Sequence, residues 1–310
     1  MTLSLVPLIT GANDLIRKQI ERQILQLTGL SLNTVDYDNP KGDPGLFGPD
    51  AVCWRIHSDF PAMLCGGISA LMLQMLHPLA LSGVWDHSNF RTDMLGRLRR
   101  TSQFVAATTY GPTHEAERLI ERVKQIHTQV EGHAPDGRYY SANDPALLTW
   151  VHVCEVHSFM RGYLRYRNPK LSLALQDRYY EEVALIATKL GATDVPTSHA
   201  AIEEYLMHQR KELVYDQRTA EVMRCLFNAP TPSLLTKPIG RSLTMAGFDL
   251  LPQWAISMNP KPLTHLERAM ASSGVRAMAP TLRWSLRNGV STLACKRVGV
   301  PPMWQRSNWP

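Results

Sequence analysis

The sequence predicts an all-α fold, a single multi-helix domain, and three observations carry that expectation. Apolar residues recur three and four positions apart, as at Ala116, Leu119, Ile120, Val123, Ile126 and Val130, the spacing of one helix face. Alternating apolar and polar runs, which mark half-buried strands, are scarce. Asn143–Asp144–Pro145 reads as a helix start, with an N-cap followed by proline at the first helical position. The 310 residues are 44% hydrophobic and 19% charged, ample material for a sizeable core.

Residues 1–37 are expected as an N-terminal helical extension, 38–290 as the main domain and 291–310 as a tail. The extension opens without the basic start and long apolar run of a signal peptide. It reads as an extended lead into an amphipathic helix near Asn13–Leu27. Asp38 to Pro49 (DNPKGDPGLFGP) is rich in turn formers and predicts a surface loop.

Between Asp59 and Asp86 no charged residue occurs, a length that could span a bilayer. Gly66–Gly67, Gln74 and the His77–Pro78 break divide the stretch, and Pro78 would end or kink a helix. A core helix from Pro61 to Leu76, buried all round, is the preferred reading.

Arg97 to Val130 predicts two helices joined at Thr109–Thr113, and Gly132 then closes the second before a loop, APDGRYYSAND. Further helices are expected from Pro145 and over 176–190, 198–210 and 219–227. The segment after Asn228 holds ten of the 21 prolines, so its helices should be short.

Five cysteines lie far apart and none forms CxxC. That excludes a zinc ribbon, a thioredoxin-like pair and a covalent CxxCH haem site, and it favours a reducing, cytoplasmic setting. From Asn228 onward ten Lys/Arg face only Asp249 and Glu267, a net +8, against 23 basic and 25 acidic residues before it. Such a tail reads mainly as a solvated surface, with peripheral contact to acidic lipid as the alternative. No compact basic–aromatic block argues for nucleic acid.

Metal and nucleotide motifs fail in turn. There is no HExxH, no paired ExxH and no GxSxG, and GDPGLFGPD does not match GxGxxG or a P-loop. His57–Ser58–Asp59 is a formal HxD, half of a facial triad, without the β-rich setting such iron sites have.

What remains is a histidine on an apolar stripe. His127 lies four residues after Val123 and seven after Ile120. One role is a core histidine with both nitrogens satisfied; the other is a neutral imidazole ligating haem iron. On the preceding helix Arg97, Arg100 and Thr101 fall within one turn. They are a salt-bridged helix start, a polar cluster able to stabilise negative charge building on dioxygen, or, for Arg97 or Arg100, a haem propionate's partner. His152, beside Trp150, is the reserve candidate for an iron ligand. His157, five residues on, does not share its face. His77 and His87 are expected in structural roles.

The order of motifs carries more than any one of them. GDPGLFGPDAVCWRIHSD, QMLHPLALSGVWDHSNF, RLRRTSQFVAATTYG, VKQIHTQVEG, DPALLTWVHVCEVHSF and RYYEEVALIATKLG together resemble the MpaB-type oxygenase family, which also includes the rubber-cleaving latex clearing protein. The resemblance covers about residues 40–290. It implies an all-α, globin-like core that binds haem b and uses dioxygen to cleave carbon–carbon double bonds, in polyisoprene or a farnesyl chain. The family's proximal pattern V-(R/K)-x-x-H-x-x-V falls on Val123, Lys124, His127 and Val130, making His127 the implied iron ligand. Its distal pattern R-x-x-(K/R)-T falls on Arg97, Arg100 and Thr101.

The rubber-cleaving branch has lysine where this chain has Arg100, and a permanently charged arginine cannot act as a weak iron ligand. The function implied is a haem b-dependent oxidoreductase, a dioxygen-using oxygenase of a small lipophilic, alkene-bearing molecule. Phe104, Val105 and Leu76 would be its substrate walls. A haem-dependent dehydrogenase or hydroxylase, and a haem-binding sensor without turnover, are the alternatives.

Overall fold

The computed structural model describes residues 6–29, 35–230 and 237–306. Among these the chain is all-α, with fourteen α-helices and one small hairpin. The first half runs α1 (Val6–Thr28), α2 (Val52–His57), α3 (Phe60–Gln74), α4 (Pro78–His87), α5 (Met94–Tyr110) and α6 (Thr113–His127). The hairpin β1 (Glu131–His133) and β2 (Tyr139–Ser141) follows, then α7 (Pro145–Tyr166), α8 (Leu173–Leu190), α9 (His199–Gln209) and α10 (Gln217–Phe227). The last helices are α11 (Lys237–Asp249), α12 (Gln253–Met258), α13 (His265–Ser285) and α14 (Val290–Arg297).

Helices α3 and α7 form the central pair. The Asp59 side chain caps α3 by accepting from the Ala62 N–H at 3.2 Å, and Asp144 caps α7 by accepting from the Ala146 N–H at 2.8 Å. Each has proline in its first turn, where the missing N–H costs no hydrogen bond. The two run antiparallel, with Gly66 against Ser158 and Gly162 against Ala62. A Cβ on Gly162 would stand 2.5 Å from the Ala62 carbonyl oxygen, and one on Gly66 2.9 Å from that of Ser158. Glycine at both points lets the backbones approach this closely.

Helix α3 is buried round most of its circumference, from Pro61 to Leu73, which explains the charge-free stretch without a membrane. No single helix among the described residues is long and apolar enough to cross a bilayer; α3 and α4 together meet that length and composition but are bent by 104°. His77 sits in the bend. Its Nδ1 accepts from the Leu79 N–H at 3.3 Å, capping α4.

Other boundaries differ from the sequence pattern. Helix α1 begins at Val6, earlier than expected, and residues 1–5 of the expected extended start lie outside the described residues. Helix α6 stops at His127, so Val130 is beyond it and Ile126 is exposed. The turn closes there because the Thr128 hydroxyl donates to the Gln125 carbonyl at 2.7 Å and the Gln129 N–H to that of Ile126 at 3.1 Å, tighter bonds that end a helix. The segment expected as a loop after Gly132 instead folds back as β1–β2, with Gly137 at positive φ in its turn.

The proline-rich tail does not yield only short helices. Helix α13 runs 21 residues through Pro280, started by a Thr264–Glu267 capping box, and packs on α11 and α3. Tertiary burial outweighs the proline cost there.

Much of the tail's positive charge holds the fold together. Arg283 donates to Asp59 at 2.7 Å, and Arg268 pairs with Asp249. Arg297 is 2% exposed and donates to the carbonyls of Asp43, Tyr37 and Gly111. Lys296 meets Asp38 at 3.1 Å and Arg306 meets Asp50 at 2.6 Å. These contacts tie the glycine-rich loop to the α5–α6 turn, which the Asp43 carboxylate also grips through Thr113.

Candidate active site

A partly open cavity of about 210 Å³ lies among α1, α2, α3, α5, α7 and the segment entering α14. Its position follows from local sequence. Asp93 caps α5 by accepting from the Gly96 N–H at 2.8 Å. The helix then turns Arg97, Thr101 and Val105, four residues apart, onto the cavity. Met63, Ile68 and Leu71 of α3 face them, with Ile24 and Leu25 of α1. The walls are therefore largely apolar, as small-molecule sites usually are.

The titratable groups on this cavity, among the described residues, are His57, Arg97, Tyr110 and Glu155. Arg97 is half-buried and donates from Nη1 to the Ser88 hydroxyl at 3.2 Å. No carboxylate pairs with it among the described residues. Burial, and then the neighbouring Arg100 charge, bring its pKa down to about 10. Thr101 is exposed at the cavity mouth, its hydroxyl donating back to the Arg97 carbonyl at 3.3 Å.

His57, the last residue of α2, forms part of the floor. Its Nδ1 lies 2.9 Å from the Thr109 hydroxyl and its Nε2 3.0 Å from that of Tyr179. Burial drives its pKa down to about 3, so the ring is neutral and both nitrogens are engaged. Phe159 packs edge-on against it at 5.3 Å.

Glu155 of α7 also lines the cavity. It has no hydrogen-bond or ion-pair partner among the described residues, and burial lifts its pKa to about 7.

The sequence-predicted residues are not gathered on one wall. Arg97, Thr101 and Val105 reach the cavity. Arg100 points outward, 60% exposed and 3.7 Å from Asp93, so the three polar groups of that helix turn do not act as one face. Phe104 and Leu76 are not cavity walls; Leu76 is buried core.

His127 is half-buried at the end of α6, which packs on α5, and it does not line the cavity. Its Nδ1 is fully buried without a hydrogen-bond partner among the described residues, and burial lowers its pKa. Lys124 pairs with Glu121 at 3.7 Å. His152 is buried off the cavity, with Nε2 unpartnered and its pKa lowered by burial to about 4. Among the described residues no group of three or more His, Cys, Asp or Glu could hold a bare metal ion.

Glu155 and His57 were legible only in part. Glu155 is the single acid in the 22 residues of α7, a lone carboxyl in a helix otherwise buried nearly all round. That is the signal which marks it out. Nothing local to the sequence shows that His57 meets Thr109 and Tyr179.

Residues 54–284 match the family described as ER-bound oxygenase mpaB/B'/Rubber oxygenase, catalytic domain. No curated protein and no solved structure matches the chain.

Proposed function

Since the chain belongs to the MpaB/rubber oxygenase family, we propose that it is a haem b-dependent oxygenase acting with dioxygen on a small lipophilic, alkene-bearing substrate. The observation that carries this reading is the apolar cavity with Arg97 and Thr101 on one wall, in a chain of an oxygenase family.

Two imidazoles, half-buried His127 and buried His152, offer donor chemistry that suits haem, although neither lines the cavity itself. Porphyrin iron takes a neutral imidazole with a ring nitrogen to spare. Burial favours the neutral form of His127, and its Nδ1 has no partner among the described residues. On this reading His127 would hold the iron within a globin-like core, with Lys124, three residues before it, and Arg97 as the further haem-binding residues. His152, with its own unpartnered nitrogen, is the reserve ligand. Bound haem would supply the dioxygen chemistry that no side chain can perform.

The remaining work falls to the chain. Arg97 is a cation with only the Ser88 hydroxyl as partner, available to stabilise negative charge that develops on oxygen. Thr101 offers a hydroxyl at the mouth. The walls from Met63, Ile68, Leu71 and Val105 hold an apolar chain in place and keep water from the reacting bond.

Haem-loaded protein given a lipophilic alkene such as farnesol tests the reaction. The expected result is dioxygen uptake with two oxygens gained across the cleavage products. Loss of two hydrogens would mark a dehydrogenase, gain of one oxygen a hydroxylase, and no turnover a sensor; each overturns the cleavage reading.

A further inference from the structure

We propose that Glu155 is the recognition group for the polar end of the cavity's ligand, on the α7 wall. The ligand is an elongated apolar molecule ending in a hydrogen-bond donor, a long-chain alcohol or primary amine. The proposal rests on the cavity being a substrate site, and it names what that site selects.

The cavity's shape sets the elongation. Its α5 wall runs from Arg97 to Tyr110, which at 1.5 Å per residue is ~20 Å. Thr101 is exposed at one part of that wall, so the cavity opens there. Glu155 lies instead on α7, half-buried between the buried Cys154 and Val156, on a different wall from Thr101.

The carboxyl has no other occupation. His57 on the same floor already spends both nitrogens on Thr109 and Tyr179. The Gln74 amide, also on the cavity, donates to the Val151 carbonyl at 3.1 Å. Arg97 faces the same cavity without forming an ion pair with it.

An unpartnered carboxyl on an apolar wall is unfavourable for the fold, since a hydrocarbon side chain would pack there without the desolvation cost. A ligand that brings a donor O–H or N–H satisfies it. An apolar chain without such a head leaves it unsatisfied, and that difference is the source of selectivity.

Competition for an environment-sensitive apolar dye bound to the full-length protein tests this without turnover or haem. The competitors are decan-1-ol, decylamine and 1-methoxydecane, the last an acceptor only. At about pH 8.5, where the carboxyl is ionised, the alcohol and amine should displace the dye at ~10-fold lower concentration than the ether. Glu155→Leu should abolish that preference. The isosteric Glu155→Gln should keep preference for the alcohol and lose most of that for the amine.

Equal competition by all three on the native protein, or a preference unchanged in Glu155→Leu, overturns the proposal. Selective displacement in a protein that neither holds haem nor consumes dioxygen would sustain the binding role and sink the oxygenase reading, so the two failures are separable.

Discussion

Glu155 on α7 and Arg97 on α5 face one cavity, and neither has a partner of opposite charge among the described residues. A fold that served only its own stability would pair or remove both. Leaving an acid and a base unspent on an apolar wall is the arrangement of a site that waits for a ligand.

Stability should carry the mark of Glu155. Its pKa rises from 4.5 to about 7 in the folded chain. Below the unfolded value both states hold the proton and the group costs nothing. As pH climbs, the unfolded chain ionises first, and stability falls until the folded carboxyl has ionised too. The full loss is ~3 kcal/mol, at about 1.4 kcal/mol per unit. Glu155→Gln should therefore raise the urea midpoint at about pH 8.5 and leave it nearly unchanged at about pH 4. A difference of the same size at both would contradict the assignment.

Arg97→Met should lower the turnover of haem-loaded protein ~100-fold, the scale of losing one charge-stabilising group, while leaving the unfolding midpoint within a degree or two. Arg97→Lys should recover part of the rate. Steady-state dioxygen consumption measures both, and a fully active Arg97→Met protein would remove the residue from the mechanism.

Gly162→Ala should destabilise by ~1–3 kcal/mol, the usual cost of overpacking, because the added Cβ would stand 2.5 Å from the Ala62 carbonyl oxygen. Backbone, rather than a flexible side chain, must give way. Gly137→Ala is a useful contrast. Nothing lies within 4 Å of a Cβ there, and only its positive φ resists. Thermal melts of the two variants separate packing strain from backbone strain.

Asp59→Ala should cost ~3 kcal/mol, since it removes the α3 N-cap and leaves Arg283 half-enclosed without its carboxylate. Replacing Arg283 as well should restore part of that loss, and a double-mutant cycle measures the coupling.

The helical class was legible because amphipathic spacing and caps such as Asp144–Pro145 are local properties of the chain. So was the core placement of α3, whose charge-free run carries Gly66 and the His77–Pro78 break. Arg97, Arg100, Thr101, Phe104 and Val105 read as one face, and of these the structure brings Arg97, Thr101 and Val105 to the cavity. Arg100 could not be separated from them, because adjacent turns of one helix look alike until a partner, here Asp93, draws one side chain away. The end of α6 was misread by three residues, since Val130 keeps the apolar rhythm while Thr128 closes the turn. His57 depends on Thr109 and Tyr179, 52 and 122 residues distant. Contacts of that separation have no local signature.

The most direct test is an absorbance spectrum of the protein purified after haem-supplemented expression, beside that of His127→Ala. The account predicts a Soret band for the native chain and its loss in the variant, with far-ultraviolet circular dichroism unchanged. A native protein without the band, or a variant that keeps the same band, would contradict it.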